Sequence, residues 1–258
     1  MPQCSEGGAE ALNESIAQAL FPGGKRMRPL ITLLAAGLIS GNVERAMPAS
    51  AALEFLHASS LILDDLPCMD DAQTRRNTPA VHVRFGEATA ILAALALLNR
   101  AYELMLGHPP LMKAACDAIG INGMIGGQAA DLTGGPASLR NRKTLGLMRL
   151  TFTAGPLVCG ATGEQIEALS RCGSYVGSAF QILDDLRDRL ASGGKTSGQD
   201  ARHGRVNNLG DLGREGCRQS IAVFLDCANR ELQSHFEPGE ARDRVAAAIA
   251  AVFRKAMP

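Results

Sequence analysis

The sequence has no excess of charge of either sign. Lysine plus arginine and aspartate plus glutamate both number 26 in a chain of 258 residues, so the formal net charge at pH 7 is zero. A balanced chain has no overall field that attracts nucleic acid or an anionic membrane surface. Any charged partner must therefore be recognised by local clusters, and we expect no nucleic-acid role.

Paired cysteines are also missing. The seven cysteines are odd in number and contain no Cys-x-x-Cys spacing, which argues against a disulfide framework or a zinc site and favours reduced thiols. We therefore predict a cytoplasmic location. The first residues carry neither a basic start nor an apolar run, so we expect no signal peptide and interpret residues 1–10 as a loose tail.

Long apolar runs are absent as well. The longest, residues 30–39 and 88–98, fall short of the roughly 20 residues that cross a bilayer, so no membrane span is predicted. The second run is apolar nearly all round when drawn as a helix. It is therefore expected to be buried, either in the core or against a partner subunit.

Strand-like alternation is nearly absent, and Ala- and Leu-rich segments with helical periodicity fill the chain instead. Glycine and proline breakers separate these segments, and none resembles a domain linker. They lie at residues 21–24, 108–110, 134–136, 193–194 and 238–239. We predict an all-α fold that forms a single domain over residues 1–258.

The sequence does contain two dense groups of aspartates, each of which directly follows an apolar segment with helical periodicity. The first is Asp64, Asp65 and Asp70, and the second is Asp184, Asp185 and Asp188. The apolar flanks predict partial burial, where ionised carboxylates are costly unless they are paired or bind a metal. Oxygen ligands without His or Cys favour Mg2+, which often bridges carboxylates to substrate phosphates. Helix capping and a solvated charge run are the alternative for either group alone.

Spacing within the two groups supports a shared site. Asp184 and Asp188 are four residues apart and lie on one face of a helix. Asp64 and Asp70 are six apart, which an ideal helix would separate. Pro67 removes a helical hydrogen bond between them and would let Asp70 return toward Asp64.

Basic groups complement the aspartates. Residues 23–29 place Lys25, Arg26 and Arg28 around a glycine turn before an apolar helix, which suits a compact anion. Arg75 and Arg76 follow the first aspartates by one short loop and could neutralise them or hold phosphates. His57, two helical turns before Asp64, could add a donor or be a core residue.

These motifs occur together and in order along about residues 15–225. They are Gly23-Gly-Lys-Arg-Met-Arg-Pro29, Asp64-Asp-Leu-Pro-Cys-Met-Asp70, Arg75-Arg76, Phe85-Gly-Glu87, Gly126-Gly-Gln-Ala-Ala-Asp-Leu132, Lys143-Thr144, Phe180-Gln-Ile-Leu-Asp-Asp185 and Gly194-Lys-Thr196. The chain resembles the all-trans isoprenyl diphosphate synthases, most closely the bacterial and plant geranylgeranyl and farnesyl diphosphate synthases.

The resemblance implies the isoprenoid synthase fold, a helical bundle around a central cavity, in an Mg2+-dependent and usually dimeric enzyme. The expected substrates are isopentenyl diphosphate and allylic prenyl diphosphates. By resemblance, the Mg2+ ligands are Asp64, Asp65, Asp70, Asp184 and Asp185, with Asp188 in support. The groups expected at the leaving diphosphate are Arg75, Lys143 and Lys195.

Further roles follow from the same resemblance. The groups expected at the diphosphate of isopentenyl diphosphate are Lys25, Arg28, His57 and Arg76. The groups expected at the reacting carbons are Thr144 and Gln181.

Product length is expected to depend on the helix that leads into Asp64. Upstream residues that would point along the cavity toward its floor are Ser60, Ser59, Leu56 and Phe55. Farnesyl-specific members of the family often carry an aromatic residue where Ser59 stands, so the small side chain suggests a deeper pocket. We predict geranylgeranyl diphosphate as the product.

The chain departs from the family pattern at several positions. Leu63 replaces a common His, Leu95 replaces an Asp, and Arg205 stands where a Lys is usual. The alternatives are a farnesyl diphosphate synthase, a non-catalytic regulatory subunit, a terpene cyclase of related fold, or aspartates that only cap helices. Both aspartate groups and the basic turn at residues 23–28 are retained, which favours a synthase.

Overall fold

The computed structural model describes residues 10–21, 24–189 and 213–254, and these are almost entirely helical. The first helices are α1 (Glu10–Leu20), α2 (Met27–Gly37), a 3-10 turn (Val43–Ala46), α3 (Met47–Asp64), α4 (Val81–Phe85) and α5 (Glu87–Glu103). The remaining ones are α6 (Pro109–Ile119), α7 (Met124–Leu132), α8 (Ala137–Arg140), α9 (Arg142–Cys159), α10 (Gly163–Arg189), α11 (Arg214–His235) and α12 (Glu240–Arg254). A two-residue antiparallel hairpin, β1 (Thr74–Arg75) and β2 (Thr78–Pro79), follows the first aspartates. The expected all-α class is confirmed.

Helix boundaries follow the local chemistry of the breakers. Pro109 occupies the first position of α6, where a missing backbone N–H costs nothing. Helix α9 ends at Gly160, whose φ of 83° suits a residue without a Cβ. The breaker at residues 193–194 lies outside the described residues.

Helix α9 lies at the centre of the fold, in contact with α2, α3, α6, α7 and α10. One side of it, with Met148 and Phe152 fully buried, joins a core formed with α2, α10, α11 and α12. Its other side, with Leu147 and Leu150, joins a core formed with α3, α5 and α6. The helix therefore connects the two halves of the chain that carry the two aspartate groups.

Helix α3 is a core helix of unusual apolarity. Residues 43–64 are long and apolar enough to cross a membrane by length and composition, and 56% of an apolar 18-residue window within them is buried inside the protein. The expectation that no segment reaches this length overlooked the stretch, because Glu54 and His57 interrupt its apolar runs. Leu53 and Leu56 are 0% and 1% exposed, as expected for a helix surrounded by protein.

Helix α5 buries one face and exposes the other. Its buried face consists of Ala90, Ala93, Ala94, Leu97 and Ala101. Large apolar side chains remain exposed on the opposite face, at Ile91, Leu92 and Leu95. Burial in the core therefore explains the apolar character of only one face of α5.

Helices α2 and α9 approach so closely that only glycine fits at one crossing point. A Cβ on Gly155 would lie 2.2 Å from the carbonyl oxygen of Thr32. The hydroxyl of Thr32 donates to the carbonyl oxygen of Thr151 at 2.9 Å, which fixes the same contact. Substitution of Gly155 must therefore push the two helices apart.

We expect Gly155→Ala to lower the free energy of unfolding by about 1–3 kcal/mol, as overpacking in other cores does. Urea unfolding followed by circular dichroism measures this loss. Gly107→Ala is the matched control, because a Cβ there meets nothing within 4 Å. Equal unfolding midpoints for the two variants would contradict the close crossing.

Candidate active site

A cavity of about 470 Å³ opens between α3, α7, α9 and α10. Its polar lining is Arg28, His57, Ser60, Asp64, Asp70, Arg75, Gln128, Lys143, Thr144 and Asp184. Its apolar lining includes Leu61, Leu63, Met69, Met124, Ile125, Leu132, Leu147 and Phe180. Acidic, basic and apolar walls thus meet in one space.

A second cavity, of about 690 Å³, is larger but chemically poorer. It lies on another side of α9, against α6 and the start of α10, and none of the aspartates of the two groups lines it. Lys113 and Asp117 in its lining pair with each other at 2.8 Å. The smaller cavity is therefore the candidate active site.

The loop after α3 brings two aspartates of the first group together. Helix α3 ends at Asp64 instead of continuing through a proline kink. The backbone N–H of Asp70 donates to the carbonyl oxygen of Asp64 at 2.9 Å, and that of Ala72 donates to the carbonyl oxygen of Asp65 at 3.1 Å. The chain thereby folds back on the helix end, and Asp64 and Asp70 both line the cavity.

Asp65 occupies a different environment from its neighbours. Its carboxylate is 3% exposed and accepts hydrogen bonds from Nε and Nη2 of Arg75. Burial opposes the charge on Arg75, but the hydrogen bond and the charge of Asp65, aided by Asp64 and Asp70, raise its pKa. Asp65 thus holds Arg75 at the cavity wall.

The donor set suits Mg2+ when a diphosphate completes it. Within residues 10–21, 24–189 and 213–254, no three acidic, His or Cys side chains gather closely enough to hold a metal alone. Mg2+ in phosphate-transfer sites uses one or two carboxylates together with substrate phosphates and water. Asp64 and Asp70 from one side and Asp184 from α10 provide such carboxylates at the cavity.

Lys143 is fixed at the opposite wall by close packing of α7 on α9. A Cβ on Gly127 would lie 2.2 Å from the backbone nitrogen of Lys143, so only glycine permits this approach. The ammonium of Lys143 then donates to Asp131 of α7 at 2.7 Å. Burial opposes its charge, but Asp64 and Asp131 raise its pKa, so Lys143 stays cationic.

Arg28 and His57 form a buried pair on the α2 side of the cavity. Arg28 Nη1 lies 3.2 Å from His57 Nε2. Burial lowers the pKa of Arg28 to about 10, which still leaves it charged at neutral pH. Burial and the nearby Arg28 and Arg76 lower the pKa of His57 well below its usual value. The imidazole is therefore neutral, and its Nε2 accepts the hydrogen bond from Arg28.

Several expected site residues lie beside the cavity lining or outside the described residues. Gln181 is half-buried next to Phe180, Asp185 is half-buried next to Asp184, and Lys25 is exposed on the turn before α2. Lys195 lies outside the described residues. Asp188 lies in α10, but its side chain is outside the described part.

The expected chain-length residues divide into two sets. Ser60 lines the cavity. Ser59 instead turns to α5, where its hydroxyl donates to the carbonyl oxygen of Ala94 at 2.9 Å. Leu56 is buried in the core shared with α5 and α6, and Phe55 packs beside it. Met124 and Leu147, for which no role was expected, also line the cavity.

Some side chains at the site had no role in the sequence interpretation. Gln128 lines the cavity, and among the described residues its buried Nε2 finds no hydrogen-bond partner. Asp131 holds Lys143. Both stand in the Gly126-Gly-Gln-Ala-Ala-Asp segment, whose glycine pair was the available signal.

We expect Asp65→Ala to lower the free energy of unfolding by about 3 kcal/mol, because removing one partner leaves a buried charge uncompensated. Arg75, at 21% side-chain exposure, would lose its partner in a largely closed environment. Urea unfolding at pH 7 measures the change. Asp117→Ala is the control, since its pair with Lys113 is exposed and should add almost nothing. A loss no larger than the control's would contradict the assigned pairing.

His57 should make stability depend on pH. Because the folded protein lowers its pKa, the unfolded chain binds a proton that the folded state resists, so stability is full above pH 6.5 and falls below it. Between pH 7 and pH 5 the free energy of unfolding of the wild type should therefore decrease. In His57→Gln we expect this decrease to be smaller by about 1–2 kcal/mol. Urea midpoints at both pH values test this, with His108→Gln as a control for the substitution itself. Equal losses in His57→Gln and wild type would show that His57 titrates normally.

Comparison with known proteins identifies the family of the chain. The polyprenyl synthetase family matches residues 9–213. A mitochondrial geranylgeranyl pyrophosphate synthase of Arabidopsis thaliana is 36% identical over 88% of this chain and 74% of its own length. The geranylgeranyl diphosphate synthase of Pantoea ananas is 35% identical over 92% and 83%, respectively. The farnesyl diphosphate synthase of Bacillus subtilis is 35% identical over 86% and 82%.

Solved structures show the same likeness across the whole fold. An FPP/GFPP synthase from Zymomonas mobilis superposes with a TM-score of 0.84 at 30% identity, over 97% of this chain and 91% of that one. A geranyltransferase from Helicobacter pylori, complexed with magnesium and isoprenyl diphosphate, also gives 0.84, at 26% identity over 98% and 92%. The family match covers well over half of the sequence, and this chain belongs to the polyprenyl synthetase family.

Proposed function

We propose that the chain is an Mg2+-dependent prenyltransferase that condenses isopentenyl diphosphate with allylic prenyl diphosphates to give geranylgeranyl diphosphate. The observation that carries the proposal is the single cavity in which Asp64, Asp70 and Asp184 meet Arg28, Arg75 and Lys143 beside an apolar wall. A diphosphate with a hydrocarbon tail matches both parts of that lining.

The polar end suits the allylic diphosphate. Asp64, Asp70 and Asp184 would hold Mg2+, with Asp185 and Asp188 completing the second group. Bound Mg2+ would supply charge stabilisation on the departing diphosphate. Arg75 and Lys143, both kept cationic by neighbouring aspartates, would contact the same oxygens. Lys195 is proposed for the same role on sequence grounds.

The basic cluster near α2 suits the second diphosphate. Arg28 lines the cavity, and among the described residues its buried Nε has no hydrogen-bond partner, so a donor is available for an anion. Lys25 and Arg76 lie on the adjoining turns, and the neutral His57 orients Arg28. Isopentenyl diphosphate bound there would present its double bond to the allylic carbon.

The apolar walls would protect the allylic cation that forms when the carbon–oxygen bond breaks. Leu61, Met124, Leu147 and Phe180 line the space and would exclude water once substrate fills it. Thr144 lies in the lining and Gln181 is beside it, near where the reacting carbons would stand. The isopentenyl double bond attacks the cation, and the proton lost afterwards passes to the released diphosphate. No protein nucleophile is needed.

A geranylgeranyl product is proposed because small or flexible side chains line the tail end of the cavity. Ser60 leaves space beside α3, and Met124, an unbranched side chain, can yield to a growing chain. Farnesyl diphosphate is the alternative product, expected if Met124 and Leu147 stop elongation earlier.

A homodimer in the cytoplasm is the proposed state of the enzyme. The exposed side chains Ile91, Leu92 and Leu95 form an apolar face on α5 that a second copy would cover. The reduced state of the described cysteines is compatible with the cytoplasm.

Product analysis tests the proposal directly. Labelled isopentenyl diphosphate, Mg2+ and each of dimethylallyl, geranyl and farnesyl diphosphate should give geranylgeranyl diphosphate as the longest major product. Asp64→Ala and Asp184→Ala should lower turnover by a factor of about 100 or more without unfolding the chain. A product that ends at farnesyl diphosphate would refute the chain length. An inactive wild type that still binds diphosphates would favour a regulatory subunit.

A further inference from the structure

Glu54 is a buried carboxylate without a role in the mechanism above. It lies in α3, ten residues before Asp64, and its side chain is 9% exposed. A carboxylate so buried is costly unless it is paired. Arg26 supplies the partner, with Nη1 donating to Glu54 Oε1 at 2.5 Å. Neither of the two lines the cavity, whereas Arg28 and His57 beside them do.

Arg26 fixes the turn that carries the basic cluster. It adopts a left-handed conformation, with φ 50° and ψ 31°, immediately before α2. Its Nη2 donates to the carbonyl oxygen of Leu20 at the end of α1, and its guanidinium lies 5.4 Å from the ring centre of Phe21. The pair with Glu54 therefore ties α1, the turn and α3 together.

The charge of Glu54 also reaches two further arginines. Burial lowers the pKa of Arg28 and of Arg76, and Glu54 opposes that effect on both more strongly than any other group. The guanidinium of Arg76 lies against the backbone of Gly24, so it stands beside the same turn. Three arginines that would repel one another are thus all stabilised by the charge of one carboxylate, which Arg26 contacts directly.

We propose that Glu54 is a positioning residue that holds Arg26, Arg28 and Arg76 in the arrangement that receives the diphosphate of isopentenyl diphosphate. Glu54 contacts no substrate and acts through the arginines. The inference rests on the proposed function for the identity of the ligand. It deepens that function by adding a residue of α3 that assembles the second diphosphate site before substrate arrives.

The direction in which diphosphate affinity changes when the charge of Glu54 is removed distinguishes a positioning role from a purely electrostatic one. A carboxylate near an anion site repels the anion, so if only its field mattered, removing it would tighten diphosphate binding. If it holds the cluster together, removing it weakens binding, because Arg26, with 34% side-chain exposure, can turn to solvent. We expect the ordering of the arginines to outweigh the repulsion of the diphosphate by Glu54. Without Glu54, the three cations would have to be brought together against their mutual repulsion when the diphosphate binds.

Glu54→Gln tests the proposal, because it keeps the shape of the side chain and removes its charge. We expect KM for isopentenyl diphosphate to rise at least about tenfold, while kcat and KM for farnesyl diphosphate change less than about threefold. The matched control is Glu231→Gln, which removes the carboxylate that Arg171 contacts at 3.0 Å between α10 and α11. It should leave both KM values unchanged.

Three outcomes overturn the proposal. A fall in KM for isopentenyl diphosphate would show that only the electrostatic field of Glu54 acts. A constant KM would show that Glu54 has no effect on the site, and an equal shift of both KM values would indicate a general loss of structure. Should Glu54→Gln fail to fold, Glu54→Asp decides, since it keeps the charge but shortens the reach to Arg26. That variant should raise KM for isopentenyl diphosphate alone, and an equal shift for both substrates refutes the role.

A binding measurement separates this proposal from the proposed function. Calorimetric titration with inorganic diphosphate in the absence of Mg2+ reports the cationic groups alone. If the wild type makes no prenyl product, the proposed function fails, yet weaker diphosphate binding by Glu54→Gln would still support the positioning role. If the wild type is active and Glu54→Gln binds diphosphate equally well, the positioning role fails by itself.

Discussion

Mutual neutralisation of buried charge is the constraint on which the site depends. Acidic and basic side chains that would each be costly to bury alone lie in pairs around and beside the cavity. Asp65 pairs with Arg75, Asp131 with Lys143, and Glu54 with Arg26. Asp64, Asp70 and Asp184 line the cavity near these pairs, and Asp64 also acts on the charges of Arg75 and Lys143. In the proposed function, Mg2+ and diphosphate would join this network of balanced charges.

Much of this arrangement could be predicted from sequence because its signals are local. The two aspartate groups, the basic turn and the helical periodicity are all visible within short windows. The return of Asp70 to the end of α3 follows from Pro67, which prevents the helix from continuing. Family motifs then related segments far apart in the chain, which periodicity alone cannot do.

The remainder depended on contacts between distant segments. Neighbouring helical residues point about 100° apart, so Ser59 faces α5 while Ser60 faces the cavity, and only the packing of α5 decides which is which. Asp65 looked equivalent to Asp64 because its partner, Arg75, approaches from a hairpin ten residues later. Glu54 had no role in the sequence interpretation, because its partner Arg26 lies 28 residues away in the sequence.

Helix α3 sets the spacing between several of the proposed functional residues. Glu54, His57, Ser60 and Asp64 follow one another along it, so the proposed support for one diphosphate, a wall of the cavity and the proposed Mg2+ ligand for the other diphosphate belong to one rigid helix. Inserting one residue would turn everything beyond it by about 100° and separate these functions. An exchange of side chains on α3 keeps this angular order, whereas a change in the length of the helix does not.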